Sequence, residues 1–243
     1  MKFDVISIFP EFFEGPLSCG VVRIAQAKGI IETSITNPRD FTKDGMIDDY
    51  QFGGGAGMVM KPEPLTKAIN RVREQDSLLI HLTPKGKRLT QEMVNELSKE
   101  KHIIIICGRY KGVDERINAI FNPLEISIGD YVLAGGEIGA LVLIEAVTRL
   151  LPDVLGNRNS ADTDSFQTKL LEAPIYTRPN VYRKYKVPQV LRSGNHRRIA
   201  DWRRKKSLER TLIQRPDLLS SETFTKKDLK MLMEVLNGKN CRN

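Results

Sequence analysis

Residues Ser127–Glu137 (Ser-Ile-Gly-Asp-Tyr-Val-Leu-Ala-Gly-Gly-Glu) carry an apolar run through a glycine-rich turn straight into an apolar helical pattern. Such a turn offers backbone N–H and C=O groups to a ligand where no side chain stands in the way. Two more segments share this character: Gly53–Gly57, and Cys107–Gly112 after the apolar run His102–Ile106. Together the three loops point to a small-molecule site built from main chain, although any one glycine serves equally well as a plain turn. Neither G-x-G-x-x-G nor G-x-x-x-x-G-K-[ST] occurs, which disfavours the common phosphate-cradling nucleotide sites. Cysteines 19, 107 and 241 and histidines 81, 102 and 196 are dispersed. They form no disulfide framework and no metal-ligand spacing, so no metal site is expected, and they fit a reducing compartment, the cytoplasm.

Charge is the second signal. The 243 residues carry a formal net charge of +8, but residues 173–243 hold 18 Lys+Arg against 6 Asp+Glu, leaving 20 against 24 for residues 1–172. All the positive excess therefore lies in the last third. That pattern suits either a docking surface for a polyanion such as nucleic acid or a solvated basic face. No apolar run approaches the roughly 18 residues a membrane span needs. The start, Met1-Lys2-Phe3-Asp4, reads as a first strand rather than a signal segment.

Positioning these loops falls to alternating strand and helix patterns. Strands are expected at Phe3–Phe9, Ile31–Thr36, Ser77–Leu82, His102–Cys107 and Leu124–Ile128. Helices are expected at Leu65–Arg73, Thr90–Lys99, Asp114–Ile120 and Gly136–Leu151, the last mostly apolar with Glu137 suiting the positive end of its dipole. The alternation implies a mainly parallel sheet covered on both faces, with ligands beyond the carboxyl ends of its strands. The polar, aperiodic stretch near Asn157–Thr168 reads as a linker. Beyond it come a proline-bearing extended stretch, a helix Asn195–Gln214 rich in arginine and lysine, and a last helix opened by Thr225 with Asp228 three residues on. Ile199, Trp202, Leu208 and Leu212 are placed to face a small core. The expected division is 1–157, a linker 158–172, and 173–243.

Read in order, the motifs carry a resemblance. They are Ile8-Phe9-Pro10-Glu11, Pro38-Arg39-Asp40-Phe41, Asp48-Asp49-Tyr50 with the glycine run to Gly57-Met58, Cys107–Gly112 with Asp114-Glu115-Arg116, Ser127–Glu137, Leu155-Gly156, Asp164-Ser165-Phe166, Tyr176-Thr177-Arg178-Pro179 and Leu191–His196. Together they span almost the whole chain, which resembles the bacterial tRNA (guanine-N1)-methyltransferases of the SPOUT superfamily. The resemblance implies an α/β fold with a deep trefoil knot, against the general rule that chains do not knot, plus a small basic helical C-terminal domain that binds tRNA. It implies a homodimer whose active sites are shared between subunits, and transfer of a methyl group from S-adenosylmethionine to N1 of the guanosine at tRNA position 37. Two rivals share such a fold: methylation of a ribose 2′-hydroxyl, and a non-catalytic RNA-binding factor.

The same resemblance assigns roles. Asp164, by itself an ordinary linker acid, matches the general base that takes the N1 proton, and neighbouring Asp162 falls outside the motif. Arg149, by itself a helix-end cation, matches the residue that stabilises charge growing on O6. Pro84, Gly108, Tyr110, Gly112, Ser127, Ile128, Gly129, Tyr131, Leu133, Gly135 and Gly136 match the donor-holding positions. Asp48 and Gly57 are expected to meet the target base or the partner subunit. Arg178, Arg183, Lys184, Arg203, Arg204 and Lys205 are expected to dock tRNA, with Trp202 serving either the small core or a base stack. Two departures stand out. Lys111 replaces a glutamate linked to magnesium use in the family, so that role does not transfer and magnesium stays open. His81 stands where some members have a larger aromatic, and reads as a wall residue.

Overall fold

A run with apolar side chains at every position sits in a sheet only where both faces are covered. Ile103–Cys107, within the strand His102–Cys107, is such a run: Ile103, Ile105 and Cys107 enter one core and Ile104 and Ile106 the other. In the computed structural model, which describes residues 1–155 and 164–240, this strand is the centre of a five-stranded sheet whose neighbours all run parallel. The strands are β1 (Lys2–Ile6), β2 (Glu32–Thr36), β5 (Leu78–Arg88), β6 (His102–Cys107) and β7 (Leu124–Ser127), in the order β2-β1-β6-β5-β7. A separate antiparallel hairpin joins β3 (Asp48–Tyr50) to β4 (Met58–Met60). Against one face pack α1 (Glu14–Leu17), α2 (Gly20–Ala27), α4 (Gln91–Leu97) and α6 (Glu137–Thr148); against the other, α3 (Pro62–Val72) and α5 (Glu115–Phe121). Full burial of each β6 isoleucine contributes about 1.5–3 kcal/mol relative to exposure.

Several boundaries differ from expectation for local reasons. The first strand stops at Ile6, and Pro10 opens a 3₁₀ turn, Pro10–Phe13. α3 starts at Pro62, because a proline at the first helical position gives up only an amide that has no partner there. Thr90 and Asp114 are not helical: their side chains cap α4 and α5, accepting from the amides of Met93 and Arg116 at 3.3 and 3.0 Å. The largest departure is β5, expected to end at Leu82. It resumes after the turn, and Leu82 and Lys87 both face Ile126, so Thr83–Gly86 is looped out of the ladder. Gly86 permits this, since a side chain there would run into the backbone of Glu125 and Ile126.

The chain divides into two compact units, Met1–Arg158 and Asn159–Asn243. Of the expected linker, residues 158–163, including Asp162, lie outside the described residues. The second unit holds a short hairpin, β8 (Val181–Tyr182) and β9 (Tyr185–Lys186), then α7 (His196–Gln214) and α8 (Lys226–Asn240). Asn195 caps α7 by accepting from the amide of Arg198 at 3.0 Å. Leu208 is fully buried, whereas Trp202 is half-buried against Tyr176, between the two roles the sequence allowed it. The Thr225/Asp228 pair closes as a reciprocal cap: the Thr225 amide and hydroxyl donate to Asp228, and the Asp228 amide donates back at 3.1 Å. Arg204 on α7 adds a hydrogen bond of 2.8 Å to the same carboxylate.

That guanidinium first, then the Thr225 donors, hold the Asp228 carboxyl down at about 2 against an ordinary 3.8. A carboxyl that titrates lower when folded stabilises the fold above its unfolded value, and this increment disappears as pH falls toward 2. It amounts to about 2 kcal/mol. Unfolding followed by Trp202 fluorescence is therefore expected to separate wild type from Asp228→Asn by about that much at pH 5, the gap closing by pH 2.

Candidate active site

The carboxyl ends of β5, β6 and β7 come together under the N-terminus of α6. The looped-out turn of β5 supplies Leu82, Thr83 and Pro84 to a cleft whose other wall is Ile126–Gly129, Tyr131, Leu133, Gly135, Gly136 and Gly139. Eight of the donor-site expectations line it: Pro84, Ser127, Ile128, Gly129, Tyr131, Leu133, Gly135 and Gly136. Gly108, Tyr110 and Gly112 are not among its lining residues; they form the adjoining loop after β6. Leu82, Thr83 and Gly139 also line the cleft without having been singled out in the sequence, because a strand-internal pair and a helical glycine carry no motif signal.

The glycines at 135 and 136 are set by close approach. A Cβ on Gly136 would lie 2.7 Å from the Cα of Cys107, and one on Gly135 would collide with the Arg109 and Glu137 side chains. The Gly136 amide donates to the Gly108 carbonyl at 3.0 Å, and Arg109 and Gly135 form an antiparallel bridge. The entry to α6 thus runs in contact with the loop after β6. In the other wall the Ser127 hydroxyl donates to the Gly129 carbonyl at 3.0 Å, and the Tyr131 hydroxyl donates to the Ile128 carbonyl at 3.3 Å.

Beneath this contact lies a charge pair. Glu137, 1% exposed, accepts from the Ser7 hydroxyl at 2.8 Å and from Arg109 Nε at 3.0 Å. The Arg109 guanidinium also sits 4.6 Å above the Phe9 ring. The carboxylate occupies the first turn of α6, where the helix dipole favours it. Sequence reading found the dipole match but not Arg109, its partner 28 residues away.

The neighbouring groups are chemically quiet. Burial, and then the negative Glu137, pushes the Cys107 thiol well up, so it is not a thiolate nucleophile. His81 is buried behind Gly108, and burial holds it below the usual imidazole range. Asn118 donates to Glu125 at 3.1 Å and to Glu115 at 3.3 Å, so its oxygen accepts from His81 Nδ1 at 3.1 Å. His81, read from the sequence as a wall residue, is not among the residues that line the cleft. Lys111 extends its stem across Gly57, where a Cβ would meet Lys111 Cγ at 2.7 Å, and its amide donates to the Met58 carbonyl. Asp48 stands half-buried on β3.

Arg149 is the half-buried C-cap of α6. Asp164 is half-buried at the start of a turn in the second unit, its carbonyl accepting from the Gln167 amide at 3.3 Å. On α7 the basic residues sort by partner. Arg204, Lys205 and Lys206 are ion-paired to Asp228, Glu234 and Glu209, while among the described residues Arg203 has no such partner and lines a groove with Arg178, Arg192 and the paired Arg204. Arg183 lies over the ring of Tyr182 in the hairpin, with Lys184 beside it.

Known proteins match this chain along most of its length. The family model described as tRNA (Guanine-1)-methyltransferase TrmD matches residues 1–221. A tRNA (guanine-N(1)-)-methyltransferase of Dictyoglomus turgidum is 50% identical over 97% of this chain and 96% of its own length. Its counterpart in Caldanaerobacter subterraneus subsp. tengcongensis is 51% identical over 96% of this chain and 98% of its own length. The Enterococcus faecalis enzyme of the same name is 47% identical over 97% and 98%.

Removing one partner of a buried ion pair costs about 3–5 kcal/mol, because the other charge is left uncompensated. Arg109→Met is therefore expected to destabilise the first unit by about 3 kcal/mol in urea unfolding followed by circular dichroism. Adding Glu137→Leu should recover much of that loss.

Proposed function

The chain belongs to the tRNA (guanine-1)-methyltransferase family, and from this premise we infer how its own residues divide the reaction. The protein is an enzyme that methylates N1 of guanosine 37 in tRNA with S-adenosylmethionine as donor. The observation that carries the donor assignment is the cleft at the head of α6, with Pro84, Ile128 and Leu133 for an apolar ring and glycine backbone at Gly129, Gly135 and Gly136 for polar edges. These residues fit the donor. When bound there, S-adenosylmethionine supplies an electrophilic sulfonium methyl.

Guanine N1 carries a proton in its neutral form, and its lone pair attacks only once that proton is taken. Asp164 is the general base, a role worth about 10²–10⁴-fold. As the proton leaves, charge gathers on O6, and the Arg149 guanidinium stabilises it. The loops at Gly108–Gly112 and at Asp48 and Gly57 complete the donor and base surroundings. The segment entering α6 is the threaded part of a deep trefoil knot, a reading supported by the Gly136 contact with Cys107 and the bridge from Gly135 to Arg109.

The enzyme is a homodimer with two equivalent sites, each drawing residues from both copies. Support comes from α6, apolar almost all round, on which Ile138 and Val142 are 48% and 44% exposed one helical turn apart. A helix of that composition is normally buried. Residues 173–243 dock tRNA through their basic side chains, and the work is cytoplasmic. No helix among the described residues is long and apolar enough to cross a membrane. Among the described residues no three His, Cys, Asp or Glu side chains gather as a metal cage, and Lys111 brings an ammonium where the resemblance places a glutamate.

Asp164→Asn is expected to lower methyl transfer at saturating donor by about 10²-fold or more, leaving donor affinity by calorimetry within about twofold. Retained turnover, or a product mapped away from guanine N1, would overturn the assignment. Ile138→Asp with Val142→Asp should convert the dimer to a monomer in sedimentation.

A further inference from the structure

The second unit contains a groove of about 810 Å³ that the reaction above does not use. One wall is the extended stretch from Glu172 to Asn180, the other is α7, and the β8–β9 hairpin borders it through Asn180 and Val187. Its size lies in the range of small-molecule sites, roughly 300–1,000 Å³. Four arginines line it, Arg178, Arg192, Arg203 and Arg204, together with one acid, Glu172, and among the described residues the first three are held in no ion pair. Their neighbours behave differently: Arg204, Lys205 and Lys206 are each matched with an acid. Three of the four guanidiniums of this concavity thus have no acid paired to them, which favours an anionic occupant.

A track for phosphates alone requires neither a cavity nor an aromatic ring, because backbone contacts are made from open basic surfaces. This groove has both. Tyr176 lines it with 46% of its surface exposed, and Trp202 backs the tyrosine ring at 6.3 Å between centroids. A ring buttressed on one side and open on the other is a stacking platform. At the hairpin Tyr182 and Tyr185 are also exposed, among Arg183, Lys184 and Lys186.

We propose that this groove takes one unstacked RNA nucleotide other than the methylated guanosine, its base on Tyr176 and its phosphates among Arg178, Arg192 and Arg203. The C-terminal unit then holds tRNA by a base as well as by charge. The inference rests on the tRNA reading above and adds to it a second nucleotide subsite.

The test uses the full-length protein and anticodon stem-loop RNAs, either intact or carrying one abasic residue at each loop position in turn. Binding is read by anisotropy of the labelled RNA and by fluorescence of Trp202, the chain's single tryptophan. One abasic position away from guanosine 37 is expected to weaken binding about 5–100-fold, the worth of one stacked base. Tyr176→Ala should weaken the intact RNA equally, lose nothing further with that abasic RNA, and leave the salt dependence unchanged. Tyr176→Phe should bind as wild type. Arg192→Gln with Arg203→Gln should instead flatten the salt dependence. Equal binding of all abasic RNAs, or an inert Tyr176→Ala, overturns the proposal, as does a change in oligomeric state caused by Tyr176→Ala, which would make the groove a contact between copies. Mapping the methylated base in parallel keeps the two readings apart. N1-methylguanosine formed without any base dependence sinks only the subsite, whereas a stacking response without methyl transfer sinks only the enzymatic reading.

Discussion

A carboxylate with 1% of its surface in contact with solvent needs compensation from every side, and Glu137 receives it from three. Ser7 follows β1, Arg109 follows β6, and the first turn of α6 supplies its own dipole. The three groups belong to three different chain segments, so ion pair and hydrogen bond together fix where α6 begins relative to the sheet. That start point sets the path of Gly135 and Gly136, and their path sets one wall of the cleft. A hydrophobic contact here would hold the helix against the sheet without fixing its azimuth or depth. The charge pair does both, because hydrogen bonds lose strength over a few tenths of an ångström and a few tens of degrees.

The same economy of backbone governs the cleft. Side chains cannot enter where Gly86, Gly135 and Gly136 pass their neighbours, so these positions bring main chain, not flexible arms, against main chain. The price is conformational entropy on folding, which the flanking buried strands β6 and β7 offset. Lys111 and His81 show where this chain has its own solution on that scaffold. One lays an aliphatic stem over Gly57, and the other is wired through Asn118 to two glutamates.

How far the sequence revealed this depended on the range of the interaction. His102–Cys107 was legible to the residue, because an unbroken apolar run has one comfortable place in an α/β fold. Caps at Thr90, Asp114 and Asn195 blurred helix starts by a single residue, as side-chain capping always does. The continuation of β5 past Gly86 was not legible, since a looped-out turn followed by Lys87-Arg88 has no strand period. The β3–β4 hairpin was read as a glycine loop because its strands span only three residues each. Most of the cleft was found through its turns, yet Arg109–Glu137 was missed, because nothing local couples two residues 28 apart. On α7 the count of basic residues was plain, but which of them are neutralised depends on α8, packed alongside.

Cys107 closes the fully buried strand β6 against Gly136, so a soft sulfur atom sits next to a glycine that lines the cleft. A thiolate at that place would be a nucleophile, and a neutral thiol is a weak one. Burial first, and then the neighbouring Glu137, push the Cys107 thiol well above its ordinary value, which favours the protonated form. The arrangement that seats the helix therefore also quiets the sulfur buried beside it.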